Sequence, residues 1–429
     1  MSYPKIPDFQ NLSQLIIYYS KYKHEFGAEL DGILEKMYSD LNNGLIEIKN
    51  LPEYSNADEP SEYSEILKLR PEGPRKMVDS IPIDYDERLK GAFLSRIAGC
   101  ILGAPVEFHS IDNMKSWAKY NNEVFPPIDY WKTIKQPYEK RYEKSDFIEY
   151  TKDGITKVPV DDDLVYTVPN LLLVEKYGID FTTSDVGDIW KTYLPHACTA
   201  EEVALNNIKN GVSADQAAII DNPYVEWIGA DIRSDAFAYI APGYPEKAAK
   251  MAYYDAYLSH RRNGIYGEMF FAAAQSAAFV VDDSIEAIRI GLTEIPKNCQ
   301  LAKDIRWALD ISPNINNYLE ARSVVEERFK HMEHAHTNNN ACLTVLGLAI
   351  GNNDITKVIS ETVAMGMDND CTAATAGSIV GAVSSFSKLE EHWYNNFNDT
   401  LDTYLIGKNE FKISELLIRF KKQAKIVLK

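Results

Sequence analysis

Apolar residues recur at intervals of three and four along most of this chain, and they predict helices. Leu12, Leu15, Ile16 and Tyr19, then Leu30, Ile33, Leu34 and Met37, predict one long helix or a helical hairpin over residues 10–45, stopped by Asn42-Asn43-Gly44. Residues 50–85 are rich in Pro, Glu, Ser and Tyr, include Pro71-Glu72-Gly73-Pro74, and read as an irregular connector. Between Phe108 and Val160 Tyr, Trp, Pro and Lys crowd together without a period. That stretch reads as a long loop region with short elements, either a functional lid or an insertion. Beyond Asp163 helical patterning dominates, over 164–177, 184–193, 199–210, 213–219, 245–259, 266–279, 284–293, 299–310, 316–329, 339–350, 354–365, 372–386 and 411–427. Pro169 either kinks the first of these or opens it as its first residue. Val168 is a poor cap, which favours the kink. Strand-like alternation is scarce and no β-α-β rhythm is present. The expectation is an all-α protein: a helical extension and connector over 1–85, then a helical domain over 86–429.

Two acidic clusters interrupt this pattern, Asp161-Asp162-Asp163 and Asp368-Asn369-Asp370, each just before a helix-like apolar run. Adjacent carboxylates repel, so a cation among them or a bound proton is required. Hard divalent ions prefer such oxygen donors. The plainer reading is a pair of solvated helix caps favoured by the helix dipole. The neighbourhood argues for chemistry. Gly91, Ser95, Gly99 and Gly103 share one helical face, and Ala373, Gly377, Gly381 and Ser385 repeat that spacing. Glycine costs about 1 kcal/mol against alanine inside a helix, so such stripes usually mark close helix contact. Two smooth stripes packed together would set Glu107 near Asp368 and Asp370.

Composition narrows the function classes. A net charge of −18 argues against a general nucleic-acid binder, which needs a basic surface, but leaves room for a nucleotide ligand. The five cysteines, Cys100, Cys198, Cys299, Cys342 and Cys371, show no CxxC spacing and suggest neither a zinc knuckle nor a disulfide framework. No signal peptide is visible, and the most apolar run, Ala272 to Val281, is too short to span a bilayer. A cytoplasmic protein without a membrane partner is the expectation. His331, His334 and His336 lack the HExxH arrangement, and no GxSxG, P-loop or GxGxxG motif occurs.

The stretch from Gly91 to Glu107, ending Gly-Ala-Pro-Val-Glu, resembles the first motif of the ADP-ribosylglycohydrolase family, the relatives of dinitrogenase-reductase-activating glycohydrolase. Asp161 to Thr167 is similar to its Thr-Asp-Asp-Thr metal motif, and Met367 to Ala374 to its Asp-x-Asp-Thr motif. The motifs stand in family order, and the resemblance covers roughly residues 86–390. It implies a compact orthogonal helical bundle holding two Mg²⁺ ions, which hydrolyses the bond between the anomeric carbon of ADP-ribose and an acceptor, an ADP-ribosylated protein or small molecule. By position, the resemblance implies Asp161, Asp162, Asp163, Asp368, Asp370 and Cys371 as metal ligands. It implies Glu107, Asp162 and Asp370 as catalytic groups, with Glu107 also at the ribose.

The departures mark a divergent DDD/DxDC branch. Asp161 and Cys371 stand where the family has Thr, Leu164 where a second Thr is common, and Cys100 where Asp is common. Sulfur is a softer donor than a hydroxyl, so Mn²⁺ becomes an alternative to Mg²⁺. A register shifted by one residue, pairing Asp161 with Asp162, removes the mismatch at Leu164, but Thr167 and Gly178 favour the first register. The segment Trp227 to Gly243 resembles the family's central loop. There Arg233 pairs with a pyrophosphate or forms a structural bridge to Asp231 or Asp235. His260, in Ser259 to Gly264, lines the cleft or serves as a core histidine, and Thr337 to Asn340 resembles a structural segment. The rival to a hydrolase is a non-catalytic ADP-ribose-binding or structural member of the same fold. A metal-dependent phosphohydrolase would need a His-Asp motif that is absent.

Overall fold

The apolar period over residues 10–45 folds as two helices, Phe9–Lys21 and Gly27–Lys49, joined by the 3-10 turn His24–Phe26. Asp8 caps the first, its carboxylate accepting the Asn11 N–H at 2.8 Å. Asn42-Asn43-Gly44 does not stop the second helix, which continues to Lys49. None of the three takes the left-handed conformation a glycine stop requires, and Leu45, Ile46 and Ile48 carry the helix onward. The computed structural model describes residues 7–51 and 56–429, which fall into two units divided after Ala57.

The second unit, Asp58–Lys429, contains most of the stretch expected to be a connector. The helix Tyr63–Leu69 buries Ile66, Arg70 pairs with Glu294 at 2.6 Å, and the Met77 N–H donates to the Gly243 carbonyl at 2.8 Å. The Pro-Gly turn at 71–74 blocks regular structure, but the side chains around it fasten the segment to the body. The compact unit therefore begins at Asp58, within the expected extension.

Among the described residues this unit is helical apart from two short hairpins, in accord with the expected all-α bundle. The expected helices are present within a few residues of their ends. The segment at Pro169 is bent: Asp162–Val165 and Thr167–Tyr177 are separate helices meeting at Tyr166, with Pro169 in the first turn of the second. The stretch 108–160 holds a helix, Ile111–Asn121, and a hairpin pairing Lys140–Arg141 with Ser145–Asp146. The expected helix 411–427 starts at Ile413, because residues up to Lys412 belong to a second hairpin, Thr400–Leu405 with Lys408–Lys412, turned at Gly407 with φ +70°.

The helix Tyr85–Gly103 is the axis of the body, and with its following turn it is long and apolar enough to cross a membrane. Here 94% of that window is buried inside the protein, which makes it a core helix. Its partner is Asn369–Ser384, and the glycine stripes let the two backbones touch. A Cβ on Gly99 would lie 2.2 Å from the Ala373 carbonyl oxygen, one on Gly377 2.4 Å from that of Ser95, and one on Gly381 2.3 Å from that of Gly91. Only hydrogen fits at these crossings.

Candidate metal and glycosidase site

The crossing of these two helices delivers the carboxylates. After Gly103 the chain makes one 3-10 turn, Ala104–Val106, and Phe108, in the left-handed region at φ +56°, donates its N–H to the Met367 carbonyl at 2.9 Å. That bond ties the end of one motif to the start of the other. Glu107 thereby comes beside Asp368 and Asp370, all three offering oxygens within 4.8 Å of one another. The helix contact expected from the small-residue stripes is therefore present. Asp368 stands at the N-cap of Asn369–Ser384, but its side chain makes no cap hydrogen bond and is turned to its neighbours instead.

The triple-aspartate cluster enters from the short helix Asp162–Val165. Asp161 does cap this helix, accepting the Asp163 N–H at 3.1 Å, so the plain cap reading holds for one of its oxygens. Asp163 reaches across to the other cluster: Cys371 Sγ lies 3.1 Å from its Oδ2, and Asp163, Asp370 and Cys371 form a further group within 4.8 Å. Six carboxylates, Glu107, Asp161, Asp162, Asp163, Asp368 and Asp370, and one thiol are thus brought together. Leu164 is buried in the core, and the Thr167 hydroxyl turns back to the Leu164 carbonyl at 2.6 Å. Cys100 is buried near Asp161, Asp163 and Asp370; burial first, then their charge, pushes its thiol up.

Burial and mutual repulsion disfavour the charged form of these carboxylates. Burial raises Asp161 to about 6, with Arg141 pulling the other way, and raises Asp368 to about 7, with Glu107 adding to the rise. Asp163 and Asp370 lie well above the usual carboxylate range, again first through burial. The buried Oδ1 atoms of Asp163, Asp368 and Asp370 have no hydrogen-bond partner. Buried, unpartnered carboxylate oxygens are costly, and a hard divalent ion satisfies them.

Three residues at the site escape the sequence reading. Arg141, from the hairpin in the supposed loop region, places its guanidinium among the carboxylates: Nε 2.7 Å from Asp161, Nη1 2.6 Å from Glu107 and Nη2 2.6 Å from Asp370. The hydroxyl of Tyr142 donates to Asp162. Arg96, fully buried, donates to the Asp163 carbonyl at 2.6 Å and pairs with Asp235 at 2.7 Å, which fixes the backbone under Asp163. A signal existed for both arginines. Arg141 is the lone arginine among eight lysines between Phe108 and Val160, and Arg96 interrupts the otherwise small and apolar run from Gly91 to Gly103. Arginine is the basic residue suited to buried, multiply bonded ion pairs.

Two expected substrate contacts are elsewhere. Arg233 is fully buried and bonded to Asp255 at 2.9 Å, Glu268 at 3.2 Å and Glu201 at 3.4 Å, with its guanidinium 5.0 Å over the Trp190 ring. It is a structural bridge, and its partners are neither Asp231 nor Asp235. His260 is likewise fully buried, its Nδ1 2.8 Å from the Ser259 hydroxyl, as a core histidine. Both fail because they are packed as scaffold: Arg233 lies in the segment Ile228 to Ile240, buried apart from Gly229, and Ser259 and His260 are fully buried beside it in the core. Of His331, His334 and His336, the last serves structure: it caps the helix Thr337–Gly351 through the Asn338 N–H at 3.2 Å, while the other two are exposed.

Comparison with known proteins agrees with this geometry. No curated protein matches the chain. A solved structure described as an ADP-ribosylglycohydrolase-related protein complex superposes with a TM-score of 0.51 at 16% identity, over 80% of this chain and 99% of that one, which shows a shared fold. The family profile for ADP-ribosylglycohydrolase matches residues 82–422, from just before the Tyr85–Gly103 helix to within the C-terminal helix. Fold, motif order and profile converge: the chain belongs to the ADP-ribosylglycohydrolase family.

Proposed function

We propose that this protein is a divalent-cation-dependent hydrolase that cleaves the glycosidic bond joining ADP-ribose, or a related ribosyl nucleotide, to an acceptor on a protein or small molecule. The observation that carries the reading is the meeting of Glu107 with both aspartate clusters, three of whose buried oxygens have no hydrogen-bond partner. Asp163, Asp368 and Asp370 fit a hard cation by donor type, Mg²⁺ first, with Cys371 making Mn²⁺ a good alternative. When bound, the cation supplies charge stabilisation and lowers the pKa of a bound water.

The chain's own residues do the rest. Glu107, whose side chain is 24% exposed, is with the half-buried Asp162 one of two carboxylates of the site open to solvent, and it holds or moves the proton. Glycosidic cleavage passes through an oxocarbenium-like centre, and Asp162 and Asp370 stabilise that positive charge by proximity. Arg96, buried under Asp163, keeps that carboxylate in place. Five free cysteines suit a reducing compartment, so we place the activity in the cytoplasm.

A second reading, a member that binds ADP-ribose without turning it over, draws support from Arg141, which already engages Glu107, Asp161 and Asp370 in ion pairs. Incubating the purified protein and Mg²⁺ with a panel of ADP-ribosylated acceptors separates the two. Release of free ADP-ribose is the expected result. Tight binding of ADP-ribose with no release from any acceptor would replace the hydrolase by the binder.

A further inference from the structure

We infer that Arg141 takes the place of one of the two cations this carboxylate cluster would otherwise hold, so that the folded chain binds a single divalent ion, at Asp163, Asp370 and Cys371. The inference rests on the metal-dependent reading of the site given above. One guanidinium fills its hydrogen-bonding fork with Oδ2 of Asp161, Oε2 of Glu107 and Oδ2 of Asp370, at 2.6 to 2.7 Å. Those oxygens are withdrawn from metal coordination. The buried Oδ1 atoms of Asp163 and Asp370 have no hydrogen-bond partner, and these two residues offer ligand atoms within 4.8 Å of each other and of Cys371, a group that can anchor one ion.

Arg141 is built into this position. Its side chain is 11% exposed, against 0% for Asp161 and 1% for Asp370. The hairpin that carries it is pinned on both sides of its turn. The Ser145 hydroxyl accepts the Val160 N–H at 3.0 Å, directly before Asp161, and the Phe147 N–H donates to the Glu139 carbonyl at 2.9 Å. Tyr142 and Glu143, at the turn, both have positive φ, 52° and 56°, where Asn or Gly is usual. Non-glycine residues held there are strained, and they persist where surrounding bonds over-determine them. The over-determining bonds are those of Arg141 and of the Tyr142 hydroxyl to Asp162. A lysine would supply the charge at one point and leave the other carboxylates unbridged.

The test counts ions. Protein stripped with EDTA is titrated with Mn²⁺ by calorimetry, and the bound metal is measured by elemental analysis, for wild type and Arg141→Gln. We expect one ion per chain in the wild type and two in Arg141→Gln. In EDTA the variant should melt below the wild type, and saturating Mn²⁺ should raise its melting temperature by more. If Arg141→Gln folds only with Mn²⁺ present, the count is taken on protein purified in Mn²⁺, and Arg141→Lys supplies the EDTA comparison, with a melting temperature between the two. Two ions in the wild type, or equal counts in both proteins, would overturn the inference while leaving the glycohydrolase reading in place. No ion in either protein would overturn both.

Discussion

Replacing Gly99 by alanine should damage this protein, although alanine is the better helix former. A Cβ there would lie 2.2 Å from the Ala373 carbonyl oxygen, 2.5 Å from its carbon and 2.9 Å from the Ala374 nitrogen, all backbone atoms that no rotamer change can move. Relief requires the two central helices to part by about 1 Å, since comfortable non-bonded contact begins near 3.5 Å. Overpacking of a rigid contact costs about 3 kcal/mol, and the intrinsic helix gain of alanine over glycine returns about 1 kcal/mol, leaving a net loss of about 2 kcal/mol. Gly187 provides the control within the same protein. It lies inside the helix Thr183–Tyr193, and a Cβ there would meet nothing closer than 3.7 Å. Gly187→Ala should therefore stabilise by up to about 1 kcal/mol. Thermal melts of both variants at saturating Mg²⁺ should then differ by several degrees in opposite directions from wild type, at about 2 °C per kcal/mol for a chain of this size. The same displacement moves Asp370 relative to Glu107, so Gly99→Ala should also weaken metal binding. A Gly99→Ala protein as stable as Gly187→Ala would mean the helices are not in backbone contact, and the argument from the stripes would fall.

Asp368→Asn and Asp162→Asn should each lower ADP-ribose release by more than a hundredfold while helical circular dichroism stays unchanged; residual activity within about threefold of wild type would return these residues to the role of caps. Stability of the metal-free protein should fall as pH rises. The folded-state values of about 6 for Asp161 and about 7 for Asp368 lie above the ordinary aspartate range, so the native state holds extra protons between about pH 4 and 7 and loses that advantage on crossing the window. Urea unfolding in EDTA at pH 5 and pH 7.5 checks the sign, and a metal-free protein more stable at pH 7.5 would contradict it. Cys371→Thr should strengthen Mg²⁺ binding relative to Mn²⁺ at unchanged fold, and titrations that give identical affinities for both ions in both proteins would leave the sulfur a packing role only.

Much of the site was legible because its parts are local in sequence. Runs of aspartate and glycine at fixed spacing survive as patterns, and the pairing of the two stripes follows from what glycine is for. Arg141 was not legible as a site residue, since its importance comes from a hairpin in an aperiodic stretch and from partners on three other segments. Arg233 and His260 were misplaced for the converse reason. A polar residue in a conspicuous loop looks available to ligand, and only tertiary packing shows that its partners, Asp255 and Glu268 for Arg233 and Ser259 for His260, are internal. The hairpin Thr400–Lys412 was missed because six residues of strand alternate too briefly to stand out from the helix that follows.

That hairpin has a consequence for how the protein is made. Val158, three residues before the triple aspartate, donates its N–H to the Thr400 carbonyl at 2.9 Å and accepts the Asp402 N–H at 3.0 Å. The ribosome produces Asp161 long before it produces Thr400, so the nascent chain must carry a cluster of like charges whose anchor does not yet exist. Arg96, already synthesised, and Arg141, made just ahead of the cluster, are the cations available in that interval. Assembly of the site is therefore a late event of biogenesis, and a chain released before residue 400 would keep every acidic residue of the site while lacking the strand that sets the first cluster in place.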